Sequence, residues 1–139
     1  MGPQTRRTII ALGLGLAAVG ACKSDSSTGT GGSTNLSGNY SLLAFQQDTN
    51  PPFGPPYATG TLALTATNYH LSLNVDIPSP GDTTVLVDSG TYTTHGDSIA
   101  EHSLSGLPDA IGTFVVKADT LQVNVVESAL KISTTWHKN

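Results

Sequence analysis

Gly90-Thr-Tyr-Thr-Thr-His-Gly-Asp-Ser-Ile99 is followed, 22 positions later, by a second copy of the same pattern, Gly112-Thr-Phe-Val-Val-Lys-Ala-Asp-Thr-Leu121. Each copy reads as a strand carrying an inward aromatic, a tight turn, and a second strand that opens on an inward aliphatic. His95-Gly96-Asp97 and Lys117-Ala118-Asp119 supply the turns, with an aspartate able to accept hydrogen bonds from the amides of its own loop. A looser third copy, Gly60-Thr-Leu-Ala-Leu-Thr-Ala-Thr-Asn-Tyr69, turns at Thr67-Asn68. Three such hairpins in succession make an antiparallel meander.

The rest of the chain keeps the same period. Leu62/Leu64/Ala66, Tyr69/Leu71/Leu73/Val75/Ile77, Leu121/Val123/Val125 and Leu130/Ile132/Trp136 place apolar side chains at alternate positions, in runs broken by Gly, Pro, Asn and Asp. Alternation of this kind marks half-buried strands, and no window carries the 3.6-residue spacing of an amphipathic helix. Nine strand candidates result: about 38–46, 59–66, 68–77, 83–88, 90–95, 98–104, 112–117, 120–126 and 130–137. The fold class is therefore all-β. A meander this long hides its edges best by closing into a small barrel of about eight strands. The alternative is a β-sandwich of immunoglobulin type, which needs long crossovers where this sequence offers hairpins.

At the N-terminus Arg6 and Arg7 precede a 14-residue uncharged run, 8–21, too short to remain as a membrane span of about 20 residues. Val19-Gly20-Ala21-Cys22 resembles the lipobox of bacterial lipoproteins. That resemblance implies a signal peptide over 1–21, an acylated Cys22 as the mature N-terminus, and a membrane contact through its acyl chains. Lys23 stands where an aspartate would resemble an inner-membrane retention signal, so an outer-membrane or cell-surface address is implied. Thr5-Arg6-Arg7-Thr8-Ile9 partly resembles a twin-arginine motif, and both export routes stay open. Residues 22–36 are rich in Gly, Ser and Thr and read as a flexible tether, leaving 37–139 as one domain.

Cys22 is the only cysteine, so the chain forms no internal disulfide. After removal of 1–21 the chain keeps four lysines and no arginine against ten Asp and Glu, a formal charge of −6. Such a surface lacks the phosphate-neutralising patch that nucleic acid requires, and it does not dock electrostatically on anionic lipid.

The region from Leu36 to Lys138 resembles the small lipocalin-like domains of bacterial lipoproteins. The resemblance rests on Leu36-Ser-Gly-Asn-Tyr-Ser-Leu42, the Gly-Thr-Tyr and Gly-Thr-Phe strands, Asp119-Thr-Leu121 and the Trp136 strand. Its Gly-x-aromatic motif is Gly38-Asn39-Tyr40, with Tyr40 where true lipocalins have Trp. It implies an up-and-down barrel that binds a small apolar ligand. Inward aromatics and two loop rings are the lining candidates: Tyr40, Phe45, Phe53, Tyr57, Tyr69, Tyr92, Phe114 and Trp136.

Catalytic constellations are not legible. His70, His95, His102 and His137 lack a nucleophile elbow or partner motif, and no Cys or His pair has zinc-ligand spacing. The sequence therefore predicts no enzyme, no metal and no cofactor. His70 reads as a solvated strand face, and Glu101-His102 as a strand-edge pair. The loop Gln46-Gln-Asp-Thr-Asn-Pro-Pro-Phe-Gly-Pro-Pro-Tyr57 carries four prolines and two aromatics, and reads either as a plug in the barrel end or as a lid over its mouth. A filled barrel whose loops meet a protein partner is the competing functional class.

Overall fold

The computed structural model describes residues 34–76 and 83–139. The segment read as a signal peptide, Cys22 and residues 23–33 of the segment read as a tether lie outside the described residues, as does Ile77. Eight strands follow in order: β1 (Gly38–Gln47), β2 (Ala58–Leu64), β3 (Asn68–Asp76), β4 (Thr83–His95), β5 (Ser98–Ser103), β6 (Ala110–Lys117), β7 (Thr120–Glu127) and β8 (Leu130–Lys138). Each pairs antiparallel with the next, and β8 returns to β1, so the sheet closes as an up-and-down barrel. This is the architecture expected above, and closure with neighbour-to-neighbour pairing excludes the sandwich. The inward residues of the repeat, Tyr92, Ile99, Phe114 and Leu121, all lie in the buried core.

Eight strands rather than nine arise because 83–88 and 90–95 form one 13-residue strand, β4. Gly90, which looks like a breaker in sequence, is instead a point of close backbone approach. A Cβ added there would collide with the His102 carbonyl oxygen. The glycines opening the other two repeats behave alike: a Cβ at Gly60 would sit 2.6 Å from the Ser72 oxygen, and one at Gly112 would overlap that of Asn124. The repeated glycine thus marks where the neighbouring strand's backbone presses in, as tight coiling of a small closed sheet requires.

β1 carries a second device. Its register against β8 shifts between Leu42 and Ala44, so Leu42 faces Trp136 whereas Phe45 faces Thr134. The extra residue, Leu43, switches the inward set from even to odd positions, which lets Tyr40, Leu42 and Phe45 all face the interior.

The two ends differ. At one end Leu36 is only 2% exposed, and its carbonyl accepts a 2.7 Å hydrogen bond from the Tyr40 hydroxyl. The Tyr92 hydroxyl donates to the Thr65 carbonyl at 2.6 Å, strapping the β2–β3 turn across the same end. Leu36, assigned by sequence to the end of the tether, belongs to the core. The β2–β3 turn itself is built on Thr65, whose hydroxyl accepts from the Asn68 amide at 3.0 Å, so Asn68 opens β3 rather than completing the turn. The opposite end carries residues 48–57, residues 104–109 and the β7–β8 turn.

That turn places two ordinary residues in the left-handed region, Ser128 (φ 47°) and Ala129 (φ 72°), where Asn-Gly is strain-free. Replacing the pair by Asn-Gly is expected to raise unfolding stability by about 1–2 kcal/mol, read as a higher urea midpoint at unchanged m. Gly112→Ala is expected to lower it by about 2 kcal/mol or more, because the Asn124 carbonyl must move.

Candidate functional site

Toward the second end the inward side chains of Ala58, Leu73, Val75 and Ala110 are buried, while three others are less completely covered. Phe45, Leu86 and Val125 pack against the core yet remain half-buried, as does Leu71 midway along β3. Phe53 caps this rim. Its backbone forms two hydrogen bonds with Phe45, at 2.7 and 2.9 Å, and the two rings meet edge to face with centroids 5.6 Å apart.

The 48–57 loop is a fastened strap. Asp48 donates its amide to the Lys131 carbonyl at 2.7 Å and accepts from the Lys131 amide at 3.0 Å. The amides of Tyr57 and Ala58 both donate to the Gly54 carbonyl, and Gly54 lies so near β1 that a Cβ there would collide with the Leu43 oxygen. Phe53 is fastened against Phe45 at the rim. Tyr57, one of the lining candidates, is 59% exposed and stands outside the core. Tyr40, Tyr69, Tyr92, Phe114 and Trp136 are all buried, and Phe45 and Phe53 flank the mouth.

The interior also holds carboxylates that are absent from the lining candidates. Asp88 is 8% exposed and inward on β4. One oxygen accepts from the Tyr69 hydroxyl at 2.6 Å; the other accepts from the Ser103 hydroxyl at 2.6 Å and from the Ser89 amide at 2.8 Å. Three donors thus converge on one buried carboxylate and leave neither of its oxygens without a partner. Burial first, and then the bond and charge of Asp88, push the Tyr69 hydroxyl well above its ordinary range.

Glu101 is inward on β5 between Ile99 and Ser103, opposite Tyr92 on β4 and Ala110 on β6. Burial pushes its carboxyl up to about 7, with further contributions from the charges of Asp88 and Glu127. Glu127, at the mouth end of β7, is raised by burial and then by Asp88. Glu101 and His102 are therefore not a pair: they face opposite sides of the sheet. His102 Nδ1 instead bonds Asp109 on the outside at 2.8 Å, both side chains being exposed. The period of two carries this information, since Glu101 shares the phase of Ile99 and Asp88 that of Tyr92. Among the described residues, no three His, Cys, Asp or Glu side chains converge as metal ligands. At this end, then, Phe45 and Phe53 meet, Leu86 and Val125 stand half-buried on β4 and β7, and Glu101 and Glu127 are the acids of the inner face.

On the outer face, a shallow depression of about 750 Å³ runs over Thr93, Ala100, Ile111 and Val126. Ile111 and Val126 are register partners, 67% and 44% exposed.

No protein-family model matches the chain, and no curated protein matches it. Among solved structures, the crystal structure of a point mutant of the fluorescent protein UnaG is similar over 75% of this chain and 96% of its own, at 8% identity and a TM-score of 0.40. The barrel assignment rests on the pairing of this chain's own strands.

Asp88→Ala strands the hydroxyls of Tyr69 and Ser103 in the interior and is expected to lower unfolding stability by about 2–4 kcal/mol in urea titration. Asp109→Ala, which removes the exposed His102 pair and a long 3.3 Å bond from the Ser103 amide, is expected to change it by less than Asp88→Ala does.

Proposed function

We propose that this chain is a non-enzymatic bacterial envelope lipoprotein whose barrel takes one small apolar molecule at its open mouth. The observation that carries the reading is the asymmetry of the interior. One end is sealed by Leu36, Tyr40 and Tyr92, whereas at the other, beside the buried Leu73 and Val75, Phe45, Leu86 and Val125 face inward and stay half-buried. A concave apolar ring with a few polar groups beneath it is the usual form of a small-molecule site. The sealed half is filled with side chains, so the occupant is small and sits shallow, against Phe45 and Phe53 rather than deep beside Trp136.

Anchoring belongs to the same proposal. Cys22 follows the lipobox-like Val19-Gly20-Ala21, and with no arginine and a formal charge of −6 beyond residue 21, acyl chains are the membrane contact the chain offers. The Gly/Ser/Thr segment after Cys22 would hold the barrel clear of an outer-membrane or cell-surface lipid layer. A second reading, a filled barrel serving as a protein-interaction module, is favoured by exposed Tyr57 and the outward Ile111–Val126 pair.

Two measurements test the reading. Native mass spectrometry of the barrel, released gently from the cells that made it, is expected to give a discrete added mass that disappears on denaturation. A bare mass, persisting after exposure to cell lipid extract, favours the interaction module. Cys22→Ala is expected to move the protein from the membrane to the soluble fraction and to block signal processing; unchanged fractionation removes the anchor.

A further inference from the structure

The β5–β6 pair is the most weakly tied seam of the barrel. β5 is its shortest strand, six residues, and the pair has four rungs, from Ser98–Thr113 to Glu101–Ala110. β1–β2 also has four, but the Phe45–Phe53 bridge lengthens the join between β1 and the segment before β2; β5–β6 gains one backbone bond, from the Phe114 amide to the Asp97 carbonyl at 2.8 Å, at the Leu36 end and not at the Glu101 end. Glu101 occupies the last rung of the β5–β6 seam on the mouth side, with its side chain inward.

Among the described residues, its surroundings hold negative charge and no cation. Tyr69 from β3, Asp88 and Tyr92 from β4, and Glu127 from β7 are the titratable groups on the inner side of the strands around it. β6 contributes the uncharged Ala110. Asp88 is already engaged by three donors, from Tyr69, Ser103 and Ser89. Outside the sheet, Asp109 accepts from the Ser103 amide at 3.3 Å and bonds His102, a tie across the strands' divergence beyond that rung.

We propose that Glu101 is a proton-operated latch on the β5–β6 seam, closed when its carboxyl is neutral and loosened when ionisation sets it against Asp88 and Glu127. Because the folded barrel holds the proton more tightly than the unfolded chain, whose glutamates titrate near about 4.3, the stabilisation is complete below that value. It is lost as pH rises through about 7. Opening is thus favoured by alkali rather than acid. The latch stands whether or not the mouth takes a ligand; if it does, access to that ligand rises with pH.

Amide hydrogen exchange on the whole chain, corrected for the intrinsic pH dependence of exchange, tests this. Between about pH 6 and 8.5, protection of the β5–β6 ladder amides is expected to fall about tenfold or more, while β7–β8 and β8–β1 amides keep theirs. Glu101→Gln, close in shape and unable to ionise, is expected to hold the seam protected at both pH values. His102→Gln, which removes the outer pair, is expected to retain the pH dependence. A uniform change across the barrel, an unchanged seam, a pH dependence surviving in Glu101→Gln, or its loss in His102→Gln overturns the latch. Carbon-13 titration of the Glu101 carboxyl in the unaltered protein gives an independent reading: a midpoint near 7 is expected, and one near about 4, the ordinary glutamate value, overturns it as well.

Discussion

Backbone pressing on backbone is the constraint on which this barrel depends. Eight short strands close into a ring only if the sheet coils tightly, and at three places a carbonyl of one strand lies where its neighbour's Cβ would be. Gly60, Gly90 and Gly112 occupy those places. They recur because the hairpin unit recurs: each opens a strand segment whose second following residue, Leu62, Tyr92 or Phe114, is driven into the core. The same glycine that permits the bend therefore sets the phase of the side chains that fill it. Leu43 completes the scheme on β1, shifting the phase once so that both halves of that strand face inward.

Closure at this radius divides the interior. Tyr40, Tyr92 and Trp136 are large enough to fill the half nearest Leu36, and each buried polar tip finds a partner: the Leu36 carbonyl, the Thr65 carbonyl and the Thr134 hydroxyl at 2.8 Å. Toward the mouth the inward set mixes Phe45, Leu73, Val75 and Leu86 with the small Ala110 and the acids Glu101 and Glu127. The three interior carboxylates are not equivalent. Asp88 is satisfied by three donors, whereas Glu101 and Glu127 are raised chiefly by burial. Carboxylates held so differently, side by side, are what make that half of the barrel responsive to protons, while the aromatic half is a rigid plug.

Much of the fold is legible because one rule, alternation, holds almost throughout. Tyr69, Tyr92, Ile99, Phe114, Leu121 and Trp136 are placed inward by their phase alone, and the hairpin repeat implies neighbour-to-neighbour pairing. The exceptions have local causes. Gly90 reads as a break because composition does not reveal that the His102 carbonyl presses against it, and β4 consequently looks like two strands. Leu36 groups with the tether because its neighbours are small and polar, although its carbonyl and side chain complete the sealed end. At the site, the aromatic flanks are legible and the acids are not: Asp88 and Glu101 share the inward phase, but charged residues are by default assigned to the wet face. Tyr57 groups with Phe53 by proximity in the chain, and the fastened strap separates them.

The central claim is that the interior is sealed at Leu36 and open at Phe45. Relaxation of methyl resonances by a small neutral paramagnetic probe dissolved with the protein reads this directly. Strong relaxation is predicted for Leu86 and Val125, intermediate relaxation for Leu71, and little for Leu64 and Leu121. Equal relaxation of the two groups, or stronger relaxation beside Leu36, contradicts it.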